Sequence, residues 1–331
     1  MSTRPRPYVL FASAAGAGLG FGHLVRCGAI ADALGVRREL ALRGSDGARD
    51  RALAFGWTVH AGPRLEQLLQ PDVLVVDEPS RRHRDRWIRR AQAAGVPVVA
   101  LLDASTGLCD ADLVVDGSFA ARRRHDGRWC TGPAWMLLAP SVAARRRRPV
   151  RRDSGCLLIA LGGGAHVARL GAAIAGQVAA RLPAFRVEIA AGFVADSLPE
   201  LPSGCRWIDA SRGLADALAG CQAAVVNGGV TMYEACALGT PAVAVPVVAA
   251  QRRAIDAAAA LGAVTAAAPG GRPATPERVV DAVARLLAKP AHAAAQGDTA
   301  ARLVDARGLE RFAARVADLL RSRGKGARHA A

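Results

Sequence analysis

The stretch Gly20-Phe21-Gly22-His23-Leu24-Val25-Arg26 marks the passage from a buried strand into a helix. An apolar run, Tyr8–Ala12, precedes it through a turn that is rich in glycine and alanine. Apolar residues at helical spacing follow it from Leu24 to Leu34. A strand, a glycine turn and a helix form the repeating unit of open α/β sheets, which place their chemistry at this junction. The stretch therefore predicts both an α/β fold and a functional site.

His23 is the candidate catalytic residue of this junction. A helix N-terminus carries partial positive charge, which disfavours the imidazolium form and leaves a histidine available as a general base. Alternatively, His23 caps the helix or fills a satisfied polar niche. Gly20 and Gly22 favour the catalytic interpretation, because residues without a side chain let a ligand approach the backbone.

Strand-like and helix-like segments alternate through the first half of the chain. Strands are predicted at Tyr8–Ala12, Glu39–Leu42, Val73–Val76, Val96–Leu101 and Leu113–Val115. Helices fit between them at Leu24–Leu34, Asp46–Phe55 and Arg82–Ala94. This alternation is typical of a doubly wound parallel sheet.

The second half repeats this order after a charged stretch, Arg145–Gly155, which is predicted to be a linker with solvated arginines. Strands are predicted at Cys156–Leu161, Arg186–Ala190, Ala223–Val226 and Ala242–Val245. Helices are predicted from the glycines at 162–164 to about Leu182, at Leu214–Ala219 and Val230–Leu238, from near Gln251, at Pro276–Leu287 and from about Leu309 to Leu320. The predicted domains are residues 1–148 and 149–322, followed by a disordered tail at 323–331.

Two glycine-rich turns of the second half each follow a strand and open a helix. Backbone N–H groups and the helix dipole attract phosphate at such a turn. The first turn contains Gly162, Gly163 and Gly164. A tight turn without a ligand explains these glycines equally well.

The second turn, Asn227-Gly228-Gly229-Val230-Thr231-Met232-Tyr233-Glu234, carries the stronger prediction of a nucleotide site. Thr231 could bond a phosphate oxygen, and Glu234, one helical turn further, could accept two hydrogen bonds from a ribose diol. Glu234 could instead be a solvated charge, although its neighbours are apolar. Gln251 follows the strand Ala242–Val245 and either contacts the ligand or starts the next helix.

The composition argues against several other classes of protein. A net charge of +16 invites a nucleic-acid partner. However, 44 basic residues include only two lysines, and the arginines are scattered without the interleaved aromatic residues that stack on bases. Seven cysteines without a CxxC pair fit a reducing cytoplasm. We expect no signal peptide, no membrane-spanning segment, and no metal or cofactor.

The stretches Gly20–Cys27 and Asn227–Gln251 resemble the signatures of the PseG/SpsG-type nucleotide-sugar hydrolases. That group is related in fold to the MurG-type glycosyltransferases. Further segments of the chain match the same family in order, so the resemblance covers nearly the whole chain. They are Val75–Asp77, Leu101–Asp103 with Cys109–Asp112, Gly132–Leu138, Leu161–Gly164 and Val304–Arg311.

The resemblance implies a GT-B fold, in which two Rossmann-like domains face each other across a cleft and the last helix crosses back to the first domain. It implies that a UDP-linked acetamido sugar, on the way to pseudaminic acid, loses UDP to water with inversion at the anomeric carbon. His23 matches the catalytic histidine. The nucleotide would bind the C-terminal domain, and Gly22, Arg26 and Asp77 would face the sugar.

Three positions depart from the family pattern and alter the residues that would face the sugar. Gly164-Ala165-His166 stands where an aspartate is common, and Glu78-Pro79-Ser80 follows Asp77 without the usual aromatic residue. Val115–Ser118 lacks a common asparagine. His166 is either a new sugar or phosphate contact or an exposed residue at the start of a helix.

The sequence thus predicts a cytoplasmic hydrolase of a UDP-sugar, acting in nonulosonic acid or cell-surface polysaccharide synthesis without a nucleic-acid partner. The first alternative is a GT-B glycosyltransferase, in which an acceptor hydroxyl replaces water. The second is a basic protein that binds nucleic acid or an anionic surface. The sugar, the acceptor and the oligomeric state stay open.

Overall fold

A computed structural model describes residues 7–16, 19–60, 70–103, 107–122, 124, 126–162, 165–191, 198–211 and 213–329, with residues 165 and 323–329 described by their backbone alone. The chain divides into two compact units. Unit 1 comprises Met1–Ala139 and Arg307–Ala331, and unit 2 comprises Pro140–Ala306.

Unit 1 is built on a seven-stranded parallel sheet. Its strands are β1 Val9–Ala15, β2 Glu39–Gly44, β3 Thr58–His60, β4 Val73–Asp77, β5 Val98–Leu101, β6 Leu113–Asp116 and β7 Trp129–Thr131. They lie in the order β3-β2-β1-β4-β5-β6-β7. Its helices are α1 Gly22–Leu34, α2 Asp46–Ala54, α3 Arg81–Ala93 and, from the C-terminal segment, α11 Gly308–His329.

The central strands β1 and β4 are buried along their whole length, as expected for parallel strands covered by helices on both faces. Successive side chains point to opposite faces, so β1 contributes to two cores. Phe11 packs in one core with Ile30 of α1 and Phe312 of α11. Leu10 packs in the other core with Trp87 of α3.

Unit 2 is built on a six-stranded parallel sheet. Its strands are β8 Asp153–Ala160, β9 Arg186–Ala191, β10 Cys205–Asp209, β11 Cys221–Asn227, β12 Ala242–Val245 and β13 Thr265–Ala266, in the order β10-β9-β8-β11-β12-β13. Its helices are α4 Pro140–Arg146, α5 Ala165–Arg181, α6 Ala215–Gly220, α7 Val230–Ala237, α8 Arg252–Ala260, α9 Pro276–Leu287 and α10 Pro290–Leu303. Apart from the edge strand β7, the two sheets share one strand order, that of the Rossmann fold. The prediction of two doubly wound α/β domains is confirmed.

The elements that the sequence did not predict carry weak hydrophobic patterns. β3, β7 and β13 contain only three, three and two residues and lie at or near sheet edges. β10 is also an edge strand, and none of its residues is fully buried. α10 is rich in alanine and has few buried residues, so its sequence has no apolar stripe that would predict a helix.

The prediction that Arg145–Gly155 is an irregular linker is wrong, because this segment contains the end of α4 and the start of β8. Its arginines Arg146 and Arg152 are partly buried. Arg146 donates hydrogen bonds to the carbonyl oxygens of Ala301 and Val304 at 2.9 and 3.0 Å, and Arg152 donates to those of Leu238 and Gly239. These carbonyls lie at helix ends, where the helix itself supplies no donor.

The predicted disordered tail at 323–331 is replaced by helix as far as His329, because α11 continues beyond Leu320. The segment contains no proline that would stop the helix. The buried residues Phe312 and Val316 of α11 belong to the same core as Leu24 of α1. The C-terminal helix is therefore part of the core of unit 1.

Replacing Gly297 with alanine is expected to destabilise unit 2 by about 1–3 kcal/mol, the usual result of overpacking a core. Gly297 lies in α10, and a Cβ there would collide with the backbone carbonyl of Gly239. Gly176, in α5, is the matched control, since open space surrounds its Cβ position. Gly176→Ala should stabilise the helix by about 0.5–1 kcal/mol. Urea unfolding of both variants measures the difference, and equal stabilities would contradict the close contact of α10 with Gly239.

Candidate functional site

The strand order of the unit 1 sheet reverses between β1 and β4, which are hydrogen-bonded neighbours. At such a switch point the connections leave to opposite sides and open a crevice at the carboxyl ends of the two strands. His23 lies in the first turn of α1, just beyond β1, and Asp77 is the last residue of β4. The fold therefore brings both predicted residues to the edge of the sheet where ligands usually bind.

His23 and Asp77 form a hydrogen-bonded pair. His23 Nδ1 lies 2.8 Å from Asp77 Oδ1, and the side chains are 16% and 1% exposed. A carboxylate only accepts hydrogen bonds, so Nδ1 carries a proton and Nε2 holds the lone pair of a neutral ring. Nε2 makes no hydrogen bond to a described residue. The arrangement leaves Nε2 free to act as a base.

The alternative interpretation of His23 as a helix cap is not supported. α1 has Phe21 at its N-cap position, and no side chain there makes a capping hydrogen bond. The neighbouring glycines leave room among the described residues, none of which has an atom within 4 Å of a Cβ built on Gly20 or Gly22. The φ angle of Gly20 is +73°, a conformation that favours glycine.

Arg26 lies one helical turn after His23 and contacts two carboxylates. Its Nε and Nη2 donate to the two oxygens of Asp77 at 2.7 and 2.5 Å, and its Nη1 donates to Asp103 at 3.1 Å. Nη2 also lies 3.2 Å from His23 Nδ1. The sequence predicted that Arg26 and Asp77 face the sugar, but these side chains bind each other and are largely buried.

The charges around His23 change its pKa in a direction that the helix N-terminus alone would not give. Burial and Arg26 lower the pKa of His23, but the carboxylates of Asp77 and Asp103 outweigh them, and the pKa lies above its usual value. Burial would raise the pKa of Asp77, but the charges of Arg26 and His23 hold it well below its usual range. Asp77 therefore stays ionised and keeps accepting from His23.

Two further aspartates belong to this edge of the sheet, and neither was predicted as a site residue. Asp103 follows β5 and is about half exposed, while Asp116 ends β6 and is buried. Burial raises the pKa of Asp116 to about 7. The backbone N–H of Ser118 donates to Asp116 Oδ1 at 3.0 Å and lowers this pKa, but burial has the larger effect. A sequence pattern could have identified these two aspartates, because an aspartate stands at or just after the end of each of the strands β4, β5 and β6. Parallel pairing places the ends of these strands side by side.

Glu78 belongs to the segment 78–80, which lacks the aromatic residue of the resembled family, and it has a structural role. Its buried carboxylate accepts from Arg43 Nε at 3.0 Å and Nη2 at 2.6 Å. It also accepts from the N–H of Ser80 at 3.0 Å. Glu78 therefore fixes the loop after β4 and the end of β2, beside the His23–Asp77 pair.

Unit 2 has its own switch point, between β8 and β11. Asn227 is the last residue of β11, and its Nδ2 donates to the carbonyl of Leu161, just after β8, at 2.8 Å. This hydrogen bond connects the two sides of the switch point. Asn227 Oδ1 accepts from the N–H of Gly229 at 2.9 Å. Asn227, predicted to bind the nucleotide, thus holds together the turns that follow the two strands. Gly162, in the first of these turns, has φ +99° and faces the amide of Asn227.

The second turn is tightly packed against the start of α8. A Cβ on Gly228 would lie 2.8 Å from atoms of Gln251 and Ile255, so the turn requires glycine. Gln251 precedes α8, and its Oε1 accepts from the N–H of Val247 at 3.0 Å. Gln251 therefore starts the helix and closes its own loop. Its Nε2 lies near Gly229.

Glu234, predicted to bind the nucleotide, has a carboxylate whose oxygens can accept hydrogen bonds from a ligand. It lies in α7, one turn after Thr231, and both side chains are partly exposed. Burial raises the pKa of the Glu234 carboxyl to about 7, and no described residue donates a hydrogen bond to it. His166 is exposed in the first turn of α5, where it could meet solvent or a ligand. Gly163 and Gly164 lie outside the described residues.

Among the described residues, no group of three or more histidine, cysteine, aspartate and glutamate side chains has an arrangement that could hold a metal ion. In the same part of the chain, no helix combines the length and the apolar character that crossing a membrane requires.

No protein-family model matches the chain, and no curated protein matches it. Solved structures do. MurG from Acinetobacter baumannii aligns with a TM-score of 0.61 at 16% identity, covering 96% of this chain and 100% of that chain. The spinosyn rhamnosyltransferase SpnG, complexed with thymidine diphosphate, aligns with 0.66 at 18% identity, covering 90% and 96%. UDP-GlcNAc 2-epimerase from Neisseria meningitidis, bound to UDP-GlcNAc, aligns with 0.60 at 10% identity, covering 94% and 99%.

These similarities establish the fold, because they span nearly the whole of each chain although the identities are low. The chain has the GT-B fold of two parallel-sheet α/β domains, as the sequence predicted. The neighbours include several glycosyltransferases, and the PseG/SpsG-type hydrolases are not singled out among proteins of this fold.

Proposed function

We propose that the protein transfers a sugar from a nucleoside-diphosphate sugar to a hydroxyl acceptor, with His23 as the general base. The observation that carries this proposal is the His23–Asp77 pair at the switch point of unit 1. It presents a free imidazole nitrogen beside glycines that leave room for a ligand. The presence of glycosyltransferases among proteins with this fold supports transfer over other reactions of nucleotide sugars.

The proposed reaction is a single displacement. His23 Nε2 takes the proton of the acceptor hydroxyl while the oxygen attacks the anomeric carbon. The bond between that carbon and the diphosphate oxygen breaks, and the nucleoside diphosphate leaves with the electron pair, so the configuration inverts. Asp77 accepts from Nδ1 throughout and stabilises the imidazolium that forms.

We assign the nucleotide to unit 2, at the turn of Gly228 and Gly229. Asn227 holds this turn in place, Gln251 packs against it, and the helix dipole of α7 makes its N-terminus attractive to an incoming anion. The same groups would stabilise the negative charge that develops on the departing diphosphate. Thr231 supplies a hydroxyl in the first turn, and Glu234 supplies acceptors for the ribose.

Hydrolysis of the nucleotide sugar is the second candidate function. The resemblance of Gly20–Cys27 and Asn227–Gln251 to nucleotide-sugar hydrolases favours it. The chemistry differs only in the nucleophile, because water would take the place of the acceptor hydroxyl at His23. The two proposed functions share a nucleotide-sugar donor and differ in the nucleophile.

One experiment distinguishes these functions. The protein is incubated with a panel of UDP- and TDP-sugars, with and without a panel of hydroxyl acceptors, and the products are identified by mass spectrometry. Glycosylated acceptor together with nucleoside diphosphate supports transfer. Free sugar released without an acceptor supports hydrolysis. Tight, salt-sensitive DNA binding without turnover would contradict both and favour a basic binding protein.

Replacing Glu234 with alanine is expected to weaken UDP binding at least tenfold. A hydrogen bond to a charged group is worth about 1.5–3 kcal/mol, and the Glu234 carboxylate has no described partner that would compete with the ribose. The loss should be smaller for TDP, whose deoxyribose offers one hydroxyl fewer. Isothermal titration calorimetry with both nucleotides measures these changes. Glu277→Ala, an exposed glutamate in the first turn of α9, controls for the lost charge. Equal UDP affinities in Glu234→Ala and the parent would contradict the ribose assignment.

UDP affinity should also decrease as the pH falls through about 7. The pKa of unliganded Glu234 is raised to about 7, and the ribose diol favours the ionised form, so a proton bound to Glu234 competes with UDP. Glu234→Gln should remove this component and leave only the titration of the phosphate, whose second pKa is about 6. A pH profile of the glutamine variant that matches the parent would assign the dependence to another group.

A further inference from the structure

The guanidinium of Arg26 is largely buried and spans two carboxylates, Asp77 at the end of β4 and Asp103 just after β5. Its side chain is only 10% exposed, and each of its three nitrogens lies within hydrogen-bonding distance of Asp77 or Asp103. A residue that binds the sugar directly needs donors that are free to face it. Arg26 therefore does not fit the predicted role of a residue that contacts the sugar.

We propose that Arg26 is a positioning residue, which holds the carboxylate of Asp77 in the plane where Oδ1 accepts from His23 Nδ1. His23 Nε2 is thereby kept as the nitrogen that faces the substrate. This inference rests on the proposed function of His23 as the base.

The contacts of Asp77 show what Arg26 adds. Without Arg26, the described partners of the carboxylate would be His23 on Oδ1 and the weak thiol donor of Cys27, at 3.8 Å from Oδ2. A carboxylate held at one oxygen can rotate about its Cβ–Cγ bond and take the histidine with it. The two parallel hydrogen bonds from Arg26 Nε and Nη2 fix both oxygens at once.

The shape of an arginine suits this position, whereas that of a lysine does not. The planar fork reaches Asp77 with one edge and Asp103 with Nη1, so α1 is joined to β4 and to the residues after β5. An ammonium group keeps the charge but lacks the fixed geometry of the fork. Charge and geometry can therefore be separated by experiment.

Arg26 also opposes the acidic groups that act on His23. Asp77 and Asp103 raise the pKa of His23, and Arg26 lowers it. Asp116, at the end of β6, interacts with Asp103 and Arg26 in turn. Loss of the guanidinium charge should raise the pKa of His23 further. Since only the neutral ring acts as a base, the acid limb of the pH–rate profile should then move to higher pH.

The test compares Arg26→Gln, which removes charge and geometry, with Arg26→Lys, which keeps the charge. Arg43→Gln is the matched control, because it removes an arginine from Glu78, the buried carboxylate next to Asp77 in sequence. The first readout is NMR of ring-labelled histidine in the full-length protein, which reports the pKa and the tautomer of His23 without requiring turnover. The second is kcat and KM for the nucleotide sugar as a function of pH.

Arg26→Gln is expected to raise the His23 pKa and to lower the rate on the acid side at least tenfold. If Arg26→Gln fails to fold, because Asp77 is left buried without its partner, Arg26→Lys carries the test. Arg26→Lys should keep the pKa close to the parental value, populate both ring tautomers and lower the plateau of kcat at an unchanged KM. Arg43→Gln should leave the spectrum and the profile of His23 unchanged.

An increased KM with the parental tautomer and pKa in both Arg26 variants would instead make Arg26 a substrate contact and overturn the inference. If the parent shows no turnover of any nucleotide sugar, the proposed function fails. The pKa and the tautomer measured by NMR still decide whether Arg26 positions the pair.

Discussion

Replacing His23 with alanine is expected to lower kcat by about 10²–10⁴-fold, the usual contribution of a general base. UDP affinity should stay at the parental value, because the proposed nucleotide residues all belong to unit 2, whereas His23 belongs to unit 1. Turnover is measured with the best donor from the panel, and binding is measured by calorimetry.

His292→Ala is the matched control for this variant, since His292 is an exposed histidine of α10. It should keep parental turnover. If His23→Ala also keeps parental turnover, the base is another group, and the proposed mechanism is wrong even if the donor is correct.

Replacing Asp77 with asparagine should lower kcat by about 10³–10⁴-fold, as loss of the carboxylate does in other enzymes that pair a histidine with an aspartate. The amide keeps the size of the side chain but removes the charge that stabilises the imidazolium, and it can donate to Nδ1 and force the wrong tautomer. Asp77 also raises the pKa of His23, so the pKa should fall in this variant, opposite to the change expected for Arg26→Gln.

Stability must be measured alongside the rate, because the variant leaves Arg26 with one fewer buried carboxylate. Glu78→Gln is the matched control. It neutralises another buried carboxylate that is paired with an arginine, and it does not contact His23. Comparable losses of kcat in both variants would show that the effect comes from general disruption of the loop after β4.

The fold was predictable because the decisive strands are short apolar runs between turns and helices. β1, β4 and β12 are buried throughout, and the ends of the predicted runs lie no more than three residues from the observed ends. Elements that lie at an edge or pack mainly through alanine, such as β10 and α10, left no comparable pattern. Their existence follows from pairing and packing with distant segments, which a local pattern does not encode.

The sequence predicted that His23 and Asp77 belong to the candidate site, but it did not predict the contact between them. His23 and Asp77 were recognised separately, one at a helix start and the other at a strand end. Their pairing depends on the order of the strands, because β4 lies beside β1 although 54 residues separate Asp77 from His23. Arg26 was predicted to face the sugar, since nothing in the sequence shows which carboxylates surround a side chain. Asp116 was noted only as a departure from a family pattern.

The return of α11 to unit 1 has a consequence for biosynthesis. Unit 2 is formed by one continuous segment and can fold as soon as Ala306 has left the ribosome. Unit 1 lacks Phe312 and Val316 of its core until α11 has been translated, although its sheet is synthesised before unit 2. Domains usually complete folding in the order of their synthesis. Here the unit that carries the proposed catalytic pair is completed after unit 2, so a nascent chain stalled at the end of unit 2 should bind the nucleotide without being able to turn it over.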